Sequence, residues 1–482
     1  MDSLKIFVWI LFLFIVNPLL FPQKEYILES DWRMGFRNVR IDNNGDFISL
    51  FNEDSAYYHY TGGIIKFDSD FNYEIYKHDV DTAHVVFNDF IVTPENNYLI
   101  TGTIGKDNGI GYSNHILYFL LLDENFNVLA ENFYSLCEDC NNPYIKMLQN
   151  TDDRIYVTLV GVTPLFKGII EISASLEVLK DSIYFDNPGG IMNPFPSNGA
   201  GFYFLGGSEF PWAVGQITAV DTNLNLTTTV LPYYINGQYY KMGSRGSCKW
   251  LNDTIYILVS EGSSSSYGLD LYLYKMNHNH EFLTEPFIIG SENIDDQSLY
   301  FTGIDWTNSE SIYVASWQWP SMFGQTTYFV ALINENFEVL GAKSYGGNNN
   351  TVVNSMVTTV DGGCVMVGTQ RNYLAGDEFD FNGYVVFFQP NDIITSAVET
   401  TAPNDSDYRL FPNPGSDHLT IQTACKRVLL RIFDSKGVLI LEQELSDTFQ
   451  QQIDTRELKP GIYVCRLSDI NGFTENIKWI KK

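Results

Sequence analysis

Short apolar stretches broken by clusters of Asn, Asp and Gly run along most of the chain. They are too short, and too rich in β-branched and aromatic residues, to read as helices. A two-part unit recurs. Its first half is a strand, a polar turn and a second strand, as in Val39 to Leu50 around Asn43-Asn44-Gly45, Phe90 to Gly102, and Met147 to Val157. Further turns at Asn198-Gly199, Asn252-Asp253, Asn308-Ser309 and Asp361-Gly362 repeat the pattern. The second half runs a strand into another such turn, most clearly in Ile64 to Asn72, Tyr118 to Leu129 and Ala331 to Leu340. Asn, Asp and Gly occupy these centres because tight hairpins need positive φ or local side-chain capping there.

Two hairpins make four strands, and four strands in about 50 residues, repeated seven times, is the sequence form of a propeller blade. A single blade cannot bury both of its faces. A closed ring stacks each face on a neighbour and leaves only outer edges in water. The sequence therefore predicts an all-β chain whose residues 23–397 form a seven-bladed β-propeller. The units resemble the degenerate propeller repeats of exported Bacteroidetes proteins, with the pattern best kept from Asp361 to Gly368.

Residues 398–407 are small and polar, the composition of a flexible linker, and alternation resumes beyond them. Residues 408–482 read as a small antiparallel β-sandwich of the Ig-like kind. Four features follow in order: Pro412-Asn413-Pro414, a turn from Asp434 to Gly437, Leu458-Lys459-Pro460-Gly461-Ile462-Tyr463, and a lysine-rich end. Together they resemble the type A C-terminal sorting domain of the Bacteroidetes type IX secretion system. The resemblance implies two partners, the outer-membrane translocon and a sortase-like protease that removes the tail. It also implies a cargo that passes through the periplasm and is secreted or held on the outer cell surface.

The other end agrees with export. Lys5 precedes an apolar run from Ile6 to Leu20, too short for a comfortable membrane span, so residues 1–22 read as a signal peptide. No later stretch approaches a transmembrane length, which predicts no membrane-spanning segment in the mature chain. The net charge of −29 lies almost wholly between residues 23 and 407, because the tail is nearly neutral. Such a field argues against nucleic acid and suits cations, basic partners or simple solubility. Six cysteines are too few for a disulfide framework. Cys137 and Cys140 read as a local loop-closing pair, and Cys425 and Cys465 as a pair that only geometry can decide.

The sequence carries no nucleophile elbow, zinc-protease helix, phosphate loop or kinase signature. Absence of a motif does not exclude an enzyme, and the leading expectation is a binding module for glycan or protein. The alternative is a polysaccharide- or peptide-degrading hydrolase or lyase with a site built from scattered loops. His78, Asp79, Asp81 and His84 bring two imidazoles and two carboxylates within seven residues, a set that could ligate a divalent cation. The same residues also read as a polar inter-blade loop. Trp317 and Trp319 offer flat faces for a sugar ring, and equally read as packing between blades.

Overall fold

The computed structural model describes residues 24–30, 33–55, 59–78, 80, 83–106, 113–135, 144–150, 153–162, 165–185, 193–197, 201–207, 215–231, 234–235, 238–239, 241–263, 270–290, 295–319, 326–346, 350–371, 381–393, 408–411, 415, 417–423, 428–434, 439–445, 450–468 and 474–482. The proposed signal peptide, the linker, and Cys137 with Cys140 lie outside the described residues. The chain divides into two compact units, residues 1–394 and 395–482. The described part is nearly all strand; its one α-helix is the single turn Pro390–Ile393.

Among the described residues, the first unit contains seven antiparallel sheets of four or five strands and one small two-stranded ribbon. Sheets 1 to 7 span residues 33–78, 83–134, 144–185, 193–230, 241–289, 295–346 and 350–388. Sheet 7 takes its fourth strand from the other end of the unit, since Lys24–Leu28 pairs with Phe381–Phe388. Each sheet packs on the next, and the first strand of sheet 1 packs back on sheet 7. Seven apolar clusters fill the seven contacts. For example, Ile91, Leu99 and Phe119 meet Met147, Val157 and Ile170 between sheets 2 and 3. Leu332 and Tyr328 meet Val353 and Met366 between sheets 6 and 7.

Burial on both faces explains why middle strands read as continuous apolar runs. Ile155, Val157 and Leu159 face one neighbour while Tyr156 and Val160 face the other. The outermost strands alternate instead, with Val128, Leu129 and Phe133 of sheet 2 in solvent.

Many of the recurrent polar turns share one geometry, although those at Asn252 and Asn308 are tighter two-residue hairpins. The first side chain accepts the backbone N–H groups two and four residues on, as Asp123 does from Asn125 at 2.9 Å and Asn127 at 2.8 Å. Asp42, in the turn at Gly45, does the same with Asn44 and Asp46. The fourth residue has positive φ, and in several turns it is bulky: Phe126 at 65°, Leu176 at 69°, Leu224 at 65°, Phe337 at 64°. That conformation costs roughly 1–3 kcal/mol for such residues. Burial of the side chain between neighbouring sheets offsets it, for Leu176 is wholly buried and Leu224 nearly so.

The innermost strands carry bulges. The register slips between Phe36 and Val39 in sheet 1, Phe87 and Asp89 in sheet 2, and Val353 and Ser355 in sheet 7. A bulge kinks its strand toward the partner strand, and glycine stands opposite two of them. A Cβ on Gly102 would lie 2.1 Å from the Val86 carbonyl oxygen, and one on Gly368 would lie 2.0 Å from that of Val352.

The second unit has a three-stranded sheet (Tyr408–Phe411, His418–Thr423, Gln450–Asp454) and a four-stranded one. The latter runs in the order Leu439–Leu445, Val428–Asp434, Gly461–Ser468, Thr474–Lys481. Both contribute to one core around the fully buried Trp479, with Leu419, Ile421, Leu430 and Ile432. Cys465 is a buried free thiol in that core, and Cys425, its proposed partner, lies outside the described residues.

Gly102→Ala and Gly368→Ala should each destabilise the first unit by about 1–3 kcal/mol, because backbone oxygens cannot swing aside as a side chain can. Thermal melting of the two variants against wild type measures the effect. Gly45→Ala, where nothing lies within 4 Å but φ is +91°, should suffer from strain alone and lose less.

Candidate functional site

Where the innermost strands of sheets 1, 3 and 7 begin, a cavity of about 540 Å³ opens at their common end. Its walls hold three cations, Arg33, Arg37 and Lys146, and one carboxylate, Asp54. Tyr60, Tyr144, Tyr300, Phe301 and Phe381 supply aromatic faces, and Tyr144 is 48% exposed. The bulges place the polar groups. Asn88, the extra residue of the sheet 2 bulge, has a buried amide oxygen without a hydrogen-bond partner. Asn354, at the sheet 7 bulge, donates 2.6 Å to the Phe36 carbonyl and fixes sheet 7 on sheet 1.

The cations differ in how they are held. Arg33 lies 4.0 Å from Asp54 and stacks on Phe381. Arg37 has no ion pair with a carboxylate among the described residues; its neighbours are the phenols of Tyr60 and Tyr144. Burial lowers its proton affinity, and those phenols act the other way. Lys146 is only 8% exposed, donates 2.8 Å to the Tyr300 carbonyl across the cavity, and sits 3.1 Å from the Phe301 ring centre. Burial pushes its amine down to about 7, Asp89 opposes that, and Arg37 and Arg40 add to it. Asp54 moves up through burial, restrained by Arg33, the hydroxyl of Tyr60, and His84.

A second chamber of about 110 Å³ lies further along the same strands and shares Lys146 and Phe301 with the first. Arg40, Asp89, Ser247 and Cys248 line it. Burial raises the Cys248 thiol far above its ordinary value, so it stays protonated.

The residues singled out from sequence fall elsewhere. His78 is buried between sheets 1 and 2, with Tyr76 Oη 2.9 Å from Nδ1 and Tyr118 Oη 2.8 Å from Nε2. Tyr118 donates to Glu131, so this network places the His78 proton on Nε2. His84 accepts the Tyr60 N–H on Nδ1 at 3.2 Å. Asp79 and Asp81 lie outside the described residues, and among those described no group of three or more His, Cys, Asp or Glu could hold a metal. Trp317 is 5% exposed in the core between sheets 6 and 7; the backbone of Trp319 pairs with Asp295, and its side chain is outside the description.

In the tail, Asp434 pairs with Tyr463, whose hydroxyl donates 2.7 Å to the Lys459 carbonyl. Pro460 and Gly461 open that strand at the surface, while Pro412, Asn413, Pro414 and Gly437 lie outside the described residues.

Sequence reasoning missed Arg37, Lys146 and Asn88. The available signal was a basic residue inside an otherwise apolar innermost strand, in Phe36-Arg37-Asn38-Val39-Arg40 and Ile145-Lys146-Met147.

Residues 409–482 match the secretion system C-terminal sorting domain, and this tail is a type IX secretion sorting domain. The domain implies handling by the type IX machinery and export to the cell surface or beyond. No helix among the described residues is long and apolar enough to cross a membrane. The chain is 26% identical over 277 residues to an endo-acting ulvan lyase of Formosa agariphila, an alignment covering 51% of this chain. It spans about half the length of that curated relative, 50%. Among solved structures, an ulvan lyase of the polysaccharide lyase class aligns with a TM-score of 0.48 at 8% identity, covering 75% of this chain and 95% of that one. The β-propeller domain of the Trilobed protease from Pyrococcus furiosus aligns with a TM-score of 0.42 at 9% identity, covering 77% and 99%.

The lowered Lys146 proton affinity has a stability consequence of fixed sign. Between about 7 and the ordinary lysine value of 10.5 the unfolded chain binds more protons than the folded one, so stability rises with pH across that window. Below 7 both states are protonated and the folded state carries the full cost of a buried charge. Lys146→Met should therefore melt higher than wild type at neutral pH, with the gap closing as pH approaches 10.5. Paired melting curves across that range test it.

Proposed function

We propose that the first unit is a closed seven-bladed propeller, released from a leader at residues 1–22, whose channel mouth binds an acidic polysaccharide after export. The observation that carries this reading is Arg37: a half-buried guanidinium without a carboxylate partner among the described residues, beside Lys146 in a cavity walled by aromatic rings. A sugar chain bearing carboxylate or sulfate groups supplies both complements, an anion for the cations and C–H faces for Tyr144 and Phe381. The Ig-like sandwich of the tail serves secretion and takes no part in binding.

A second reading, cleavage of that polysaccharide by elimination, is favoured by the curated relative's activity and by one local pairing. The hydroxyl of Tyr60 lines the cavity and hydrogen-bonds Asp54. With Arg37 on a uronate carboxylate, the proton on the adjacent carbon becomes acidic. A base removes it, the bond from the next carbon to the bridging oxygen breaks, and an acid protonates that oxygen. Tyr60 is the residue placed for proton transfer.

Calorimetry of the exported protein against acidic and neutral polysaccharides tests the binding. Arg37→Ala should weaken binding to the acidic chain by tenfold or more, about 1.5–3 kcal/mol, and uncharged glucans should not bind. Equal affinity for both classes would overturn the proposal. If ultraviolet absorbance reports unsaturated product, Tyr60→Phe should abolish turnover while leaving affinity nearly unchanged. Deleting residues 409–482 should leave the cargo in the periplasm, as fractionation would show.

A further inference from the structure

The deeper chamber poses a charge problem that the mouth does not solve. Asp89 is its one carboxylate, and its oxygens are already engaged. Oδ1 accepts from Asn38 Nδ2 at 2.6 Å and from the Phe90 N–H at 2.9 Å, and Oδ2 accepts from the Met147 N–H at 2.8 Å. Arg40 reaches that carboxylate only at 3.7 Å, and its buried Nε has no hydrogen-bond partner. Lys146 spends one N–H on the Tyr300 carbonyl and meets the Phe301 ring with its ammonium face. Ser247 Oγ accepts the Gly303 N–H at 2.9 Å, which leaves its own proton to donate. The chamber is thus lined by donors from three separate sheets, with no free acceptor recorded among these groups.

We propose that this chamber binds a small inorganic anion, of the size and charge of chloride, between Arg40, Lys146 and Ser247. A space of about 110 Å³ accommodates such an ion with a few waters and excludes a sugar ring. Lys146 is 8% exposed whereas Arg40 keeps 37% of its side chain in solvent, so the costly charge is that of the amine, and the fold has two ways to relieve it. Lys146 can release its proton, which the pull of its amine to about 7 already favours, or an anion can enter. The two are coupled. An anion beside the amine restores its proton affinity, so anion binding takes up a proton and weakens as pH rises above 7. The charged or titratable groups that face the amine are Arg37 and Arg40 from sheet 1, Asp89 from sheet 2, Tyr144 from its own strand, the Tyr300 segment of sheet 6, and the protonated Cys248 of sheet 5. This inference does not rest on the polysaccharide reading, since mouth and chamber are probed by different ligands.

The test is thermal melting of the full chain in sodium chloride against a bulky sulfonate salt at equal ionic strength, near pH 6 and near pH 9. Chloride should raise the melting temperature by several degrees at the lower pH and less at the higher. Arg40→Met should abolish the difference, and Lys146→Met should remove its pH dependence. Bromide-soaked crystals of the wild-type protein should show an anomalous peak inside the chamber, an outcome independent of how either variant folds. Equal melting in the two salts, a chloride effect that Arg40→Met keeps in full, or an empty chamber in bromide would each overturn the proposal.

Discussion

A hydrogen-bond chain across the innermost strands holds four of the first unit's seven sheets in register. Ser355 of sheet 7 donates 2.9 Å to Asn38 Oδ1 of sheet 1, Asn38 donates 2.6 Å to Asp89 of sheet 2, and Asp89 accepts 2.8 Å from the Met147 N–H of sheet 3. All of these groups are buried, so each bond forms in a low dielectric and none can be surrendered to water without a desolvation cost. Apolar layers between sheets resist separation but allow sliding. This chain fixes the slide, and Asn38 takes part in it from within the sheet 1 bulge, while Asp89 follows directly after the extra residue of the sheet 2 bulge. Lys249 and Thr358 make a similar bridge through Asp305 between sheets 5, 6 and 7.

The same bulges build the cavity. An innermost strand in perfect register sends alternate side chains into the two flanking sheets and leaves backbone toward the axis. One extra residue re-aims a side chain inward, which is how Arg37 and Asn88 reach the mouth. Frame and site are therefore not separable: Asp89 orders three sheets and also sets how much positive charge the channel carries. The field of the chain as a whole is strongly negative, so the anion recognition proposed above would have to be local, confined to groups whose low-dielectric surroundings shield them from the acidic exterior.

The sheets were legible in the sequence because each turn carries its own chemistry. Asp123-Glu124-Asn125-Phe126-Asn127 announces a hairpin wherever it stands, since the carboxylate caps two N–H groups of the same turn. The tail was legible for the same reason, as its motifs are contiguous. The cavity was not, because its lining is drawn from strands scattered between residues 33 and 381, and no local pattern records that Arg37 and Lys146 converge. The aromatic positions show the converse. Trp317 lies on a strand whose both faces are covered, so a bulky ring there enters the core, whereas Tyr144, unremarked in sequence, begins an innermost strand and stands in solvent.

On the proposed reading, selectivity follows from this placement of charge. A broad anionic surface approaching the protein meets an acidic exterior and is repelled before any contact forms. In the proposed complex, a single carboxylate or sulfate projecting from an extended chain enters the cavity, exchanges water for Arg37 and Lys146, and its ring lies on Tyr144. The aromatic walls matter to that exchange as much as the cations do. They lower the local dielectric, which strengthens each ionic contact, and they replace the sugar's apolar faces' hydration with ring contact. On that reading the acidic exterior is a filter on geometry, admitting charge presented one group at a time.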